Sequence, residues 1–102
     1  YRDMTERFPE LPEPWNNLAA QEVADGRLDQ AKVALEMAIR TDPNYAVARE
    51  NLGDLYIMLA ARSYGTATKL NPRDAGASQK ESETRKLLDA PASSEHPPRT
   101  PR

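Results

Sequence analysis

The chain has 102 residues, with 14 lysines and arginines against 16 aspartates and glutamates, a formal net charge of −2 and a pI near 5.4. That bounds it at one small domain and argues against a strongly basic nucleic-acid surface or an anionic-membrane surface. Cysteine is absent, which excludes disulfides, thiolate metal sites and cysteine nucleophiles and leaves the redox compartment open. The longest apolar run, residues 55–61, falls far short of the roughly 20 residues that a membrane-spanning helix needs.

Hydrophobic residues make up 38% of the chain, enough for a thin layer of packed helices but not for a thick core. Tyr1 in first position is what a processed or excised segment shows, any leader or upstream domain lying outside it. Pro12 and Pro14 precede Trp15, and proline is tolerated in a first helical turn, where its missing N–H has no partner to lose. A helix is therefore predicted over residues 13–25. It runs into Asp25-Gly26, where glycine supplies the left-handed conformation that ends helices. Asp29 lies just ahead of a second helix carrying Ala31, Val33, Ala34, Leu35, Met37, Ala38 and Ile39, and Asp42-Pro43-Asn44 breaks it. Ala19, Ala31, Ala38 and Gly53 are expected where helix axes approach closely, and Trp15, Leu18, Leu35, Leu52 and Tyr56 where space is filled.

Beyond Pro43 no glycine, proline or capping residue interrupts residues 55–62, and Leu52, Leu55, Tyr56, Leu59, Ala60, Ala67 and Leu70 continue an apolar stripe. One long helix over residues 46–70 is predicted, with a tight turn near residues 60–63 as the alternative. Residues 75–89 are polar and predict a weak, solvated helix suited to covering a terminal face. Residues 90–102, rich in proline and serine, predict a disordered tail.

Internal similarity organises these elements. A shift of 34 places Leu18 over Leu52, Ala19 over Gly53, Glu22 over Tyr56 and Pro9 over Pro43; a shift of 29 places Ala31 over Ala60, Ala38 over Ala67 and Pro43 over Pro72. The difference of five corresponds to the Gly26–Gln30 stretch, which the second unit lacks. The pattern Trp15-x2-Leu18-Ala19-x2-Glu22, Ala31-x3-Leu35, Ala38, Pro43, followed by Arg49-x2-Leu52-Gly53-x2-Tyr56, Ala60-x3-Tyr64, Ala67, Pro72, resembles the tetratricopeptide repeat, a helix–turn–helix unit of about 34 residues. The likeness covers about 72 of the 102 positions and implies an all-α fold, a short α-solenoid of such repeats with a long helix in the shortened second one. On that reading, residues 1–11 end a preceding repeat, 12–45 form one repeat, 46–74 form the shortened one and 75–89 cap the stack. The phrases over residues 8–19 and 34–40 are also similar to C-terminal parts of bacterial envelope-associated members of the family, favouring a periplasmic or envelope location, with cytoplasm as the alternative.

Residues that could carry chemistry are few. His96 sits in the proline-rich tail, and no phosphate loop, H-E-x-x-H pair or nucleophile elbow occurs. Glu50 and Asp54 share a helical face, but no histidine or third acid converges on them, so a solvated face is expected rather than an acid pair or a metal site. Pro98-Arg99-Thr100-Pro101 fits a P-x-x-P spacing that a proline-rich tail produces by composition alone.

The family resemblance implies instead a non-catalytic module that binds a protein or peptide. No cofactor, nucleic-acid partner or membrane insertion is expected. In the family the first helix of each repeat lines a concave groove, which implies a binding surface of Glu13, Asn16, Ala20, Val23, Val47, Glu50, Asp54 and Ile57. Some relatives grip a terminal carboxylate with lysines and asparagines. Asn16 and Asn51 match in part, but lysine is missing and Glu50 and Asp54 repel an anion, so that mode is not expected. For Asn16 and Asn17 first-turn hydrogen bonding beside Trp15 is an equal expectation. The alternative function is a structural one, capping a longer superhelix or self-associating as a homodimer.

Overall fold

The computed structural model describes residues 2–89, all five of whose elements are helices: α1 (Arg2–Arg7), α2 (Pro12–Ala24), α3 (Leu28–Thr41), α4 (Ala46–Leu70) and α5 (Ala75–Asp89). There are no strands among the described residues. Tyr1 and the tail expected over residues 90–102, with His96 and the P-x-x-P spacing, lie outside them.

Three prolines set the rhythm. Pro9, Pro43 and Pro72 each occupy the second position after a helix, and the turn around each is built alike. The N–H just past the helix donates to the carbonyl four residues back: Phe8 to Met4 at 2.9 Å, Asp42 to Ala38 at 3.0 Å, Asn71 to Ala67 at 2.9 Å. The turn then closes with Leu11 donating to Phe8 at 3.1 Å, Tyr45 to Asp42 at 3.0 Å and Asp74 to Asn71 at 3.0 Å. Proline presets the turn at its second position and pushes the residue before it out of the helical region, as in Asp42 with φ −147° and ψ 95°. In the later two turns the leading side chain helps, Asp42 Oδ1 accepting from the Asn44 N–H at 3.0 Å and Asn71 Oδ1 from the Arg73 N–H at 3.3 Å.

The connection between α2 and α3 is of a different kind. Gly26 has φ +79°, the N–H of Gly26 bonds the Val23 carbonyl at 3.0 Å, and that of Arg27 bonds the Glu22 carbonyl at 2.8 Å. This left-handed closure satisfies carbonyls that the helix end would otherwise leave open, and it makes α2 and α3 a tight hairpin.

The chain forms two compact units whose boundary falls between Tyr56 and Ile57, inside α4. In the first, α1 packs on α2 and α2 on α3. Ala19, Ala31, Ala34, Leu35, Ala38, Ala48 and Leu55 form its core, with Leu35 and Leu55 the largest fully buried side chains. Small residues dominate because close helix axes leave room for little else, and truncating either leucine to alanine costs about 2–5 kcal/mol. The N-terminal part of α4 joins this unit through Asn51, bonded to Asn16 of α2, and Tyr56, whose ring carries the Lys32 ammonium of α3 at 5.9 Å.

In the second unit, α5 packs against the remainder of α4. Ala61, Gly65 and Ala77 are buried, Lys80 Nζ lies 6.0 Å from the centre of the Tyr64 ring, and the Glu81–Arg85 pair at 3.2 Å sits against Gly65. Asp74 caps α5, its Oδ1 accepting the Ala77 N–H at 3.1 Å.

Several expectations hold and several need correction. Helix α4 spans residues 46–70 without reversing near residues 60–63. Helix α3 starts at Leu28, so Asp29 lies within its first turn and not ahead of it. Gly53 allows no close approach: a Cβ there would meet nothing within 4 Å. Tyr56 is 47% exposed, so it does not fill a core. Both follow from helical geometry, since the buried positions Ala48 and Leu55 lie seven residues apart on one stripe and Gly53 projects well away from it.

Candidate functional site: the face shared by α2 and α4

Glu13, Asn16, Ala20 and Val23 recur on α2 at intervals of three, four and three residues, and Val47, Glu50 and Asp54 do the same on α4. Each set therefore forms a stripe along one side of its helix. The stripes meet at one hydrogen bond: Asn51 Nδ2 donates to Asn16 Oδ1 at 3.0 Å, with both residues half-buried. Asn51 lies between Val47 and Asp54 at helical spacing, so the bond sets the acidic positions of α4 beside the α2 stripe.

The second tie is electrostatic. Tyr45, in the turn before α4, is half-buried, and burial pushes its phenol above the ordinary value of 10.0, helped by the negative charges of Glu13 and then Asp42. Glu13 is thus close enough to act on Tyr45 across the start of α2. Glu13, Ala20, Val47, Glu50 and Asp54 are exposed, while Asn16 and Val23 are half-buried. Ile57, the eighth residue of the expected surface, falls in the second unit and is half-buried there. The first-turn pair divides: Asn16 is engaged by Asn51, and Asn17 is exposed.

Chemically this face offers two kinds of contact, carboxylates open to water and short aliphatic or amide side chains. Among the described residues no group of three or more histidines, cysteines or acids could hold a metal ion. No described helix is long and apolar enough to cross a membrane.

Sequence reasoning overlooked one residue. Glu22 is only 4% exposed, and its Oε1 is buried without a hydrogen-bond partner. The 34-residue shift sets this glutamate over Tyr56, which is itself 47% exposed, so the internal similarity carries no signal of its burial. The side chain lines a cavity of about 220 Å³ between α2 and α3, together with Trp15, Leu18, Gln30, Val33 and Ala34.

No protein-family model matches the chain, and a search of the curated proteins finds no match either.

Proposed function

We propose that the chain is a non-catalytic protein-interaction module of the tetratricopeptide type, whose α2/α4 face receives a segment of another protein. The observation that carries this reading is the Asn16–Asn51 hydrogen bond, which ties α2 to α4, the two helices whose residues correspond under the 34-residue shift. Recurrence of the proline turn at Pro9, Pro43 and Pro72, at the 34- and 29-residue spacings, supports the same repeat. The exposed groups are carboxylates, amides and aliphatic carbons, a set that binds without reacting.

Charge selects the partner. With Glu13, Glu50 and Asp54 open to solvent and Val47 beside them, the complementary segment carries lysines or arginines interleaved with apolar residues. Its binding weakens with salt, since exposed charges are screened within about 10 Å at 0.1 M ionic strength. A synthetic peptide alternating lysine and leucine, titrated against the chain and against a Glu50→Lys, Asp54→Lys double variant, tests the reading. Binding that the double variant loses supports it; equal binding by both forms refutes it.

A second reading, self-association, is favoured by Leu70 and Leu87 in the second unit, large apolar side chains 81% and 60% exposed. Sedimentation separates the two, because a concentration-dependent dimer that Leu70→Lys dissolves belongs only to self-association.

A further inference from the structure

We propose that the cavity between α2 and α3 is a lysine-recognition pocket, taking the side chain of a lysine from a partner polypeptide with its ammonium on Glu22. Trp15, Leu18 and Glu22 form a stripe of α2 well away from Glu13, Asn16, Ala20 and Val23, so the pocket stands independently of the α2/α4 face. Its walls are Trp15, Leu18, Val33 and Ala34, with Gln30 and Glu22 as the polar groups, and its volume is about 220 Å³. Glu22 is 96% withdrawn from solvent, given its 4% exposure, and Oε1 has no hydrogen-bond partner.

A buried carboxylate oxygen left in that state is costly, and a group that brings positive charge or donors to the Glu22 carboxylate lowers that cost. The groove is open to solvent at Gln30 and Val33, both exposed, so a ligand side chain can enter it from outside. A lysine suits it well, because its methylene stem lies on the apolar walls while its head carries the charge, and an ammonium near the Trp15 indole face gains a further attraction. Ammonium suits the site better than guanidinium, since one orphan oxygen matches a point cation and not a two-pronged fork. The ammonium meets the Glu22 carboxylate where that side chain lines the cavity.

Trp15 is the single tryptophan of the chain and reports on its own pocket. The test titrates the full chain with N-acetyl-lysine methylamide and, separately, with N-acetyl-norleucine methylamide, which keeps the stem and lacks the charge, following Trp15 emission and its indole N–H resonance. A saturable response to the lysine compound is expected, about tenfold or more weaker with norleucine and weakened to the same degree by Glu22→Gln. Val33→Phe, at an exposed rim position, narrows the cavity and abolishes the response with Glu22 intact, which keeps the proposal open to refutation should the Gln variant fold poorly. No response to the lysine compound, an equal response to norleucine, or undiminished binding by a folded Glu22→Gln chain overturns it.

Discussion

Trp15 and Arg49 make the same bond with unlike side chains. Trp15 Nε1 donates to the Pro9 carbonyl at 3.0 Å, and Arg49 Nε donates to the Pro43 carbonyl at 3.0 Å, each reaching six residues back across a proline turn. The two residues are 34 positions apart, as are the two prolines. What the positions share is an N–H at the right reach to close the turn on the helix that follows. Because both bonds are exposed, Trp15→Phe and Arg49→Met are each expected to lower stability by no more than about 1 kcal/mol through the lost hydrogen bond. Urea unfolding followed by circular dichroism measures both.

Two glycines should respond in opposite directions. Gly26→Ala forces a side chain into φ +79° and costs about 1–2 kcal/mol. Gly53→Ala enters the interior of α4 with nothing within 4 Å of the new methyl, and it stabilises by about 0.5–1 kcal/mol through reduced backbone freedom in the unfolded chain. Thermal melts of the two variants beside the parent chain check the contrast.

The Asn16–Asn51 bond is measurable as a coupling. Asn16→Ala leaves a half-buried amide donor of Asn51 without its acceptor, so each single alanine variant loses about 1 kcal/mol. The double variant loses less than the sum, with an interaction energy of about 0.5–1.5 kcal/mol. Strict additivity would show that the bond does not hold α2 to α4.

How far the sequence discloses this arrangement differs by residue. The span of α4 is readable because a run lacking glycine, proline and caps has a local cause, and Gly26 and the three prolines act locally too. Gly53 and Tyr56 are misread because their motif positions say nothing of which way the helix is turned against its neighbours. Asn16 is identified as a site residue, yet its partner Asn51 is 35 positions away, and a long-range bond has no local signature. Glu22 illustrates the same point, since its burial depends on how α3 lies over α2.

Tyr45 makes stability pH-dependent on the alkaline side. Its phenol is raised by burial and by the charges of Glu13 and Asp42, so the folded state holds this proton to higher pH than the unfolded state does. The resulting stability is fully present below the unfolded value near 10 and is lost as pH rises through the folded value. Tyr45→Phe should flatten the decline in stability above pH 10, and Glu13→Gln should move the Tyr45 titration downward, both followed by ultraviolet absorbance. A Tyr45 titration that Glu13→Gln leaves in place would separate the two residues.

The most direct test of the binding face is a titration of the isotope-labelled chain with the lysine–leucine peptide, read as amide shifts residue by residue. The account predicts that the largest shifts fall on Ala20, Val47, Glu50 and Asp54 and fade as salt is added. Shifts confined to other helices, or none at all at low salt, would contradict it.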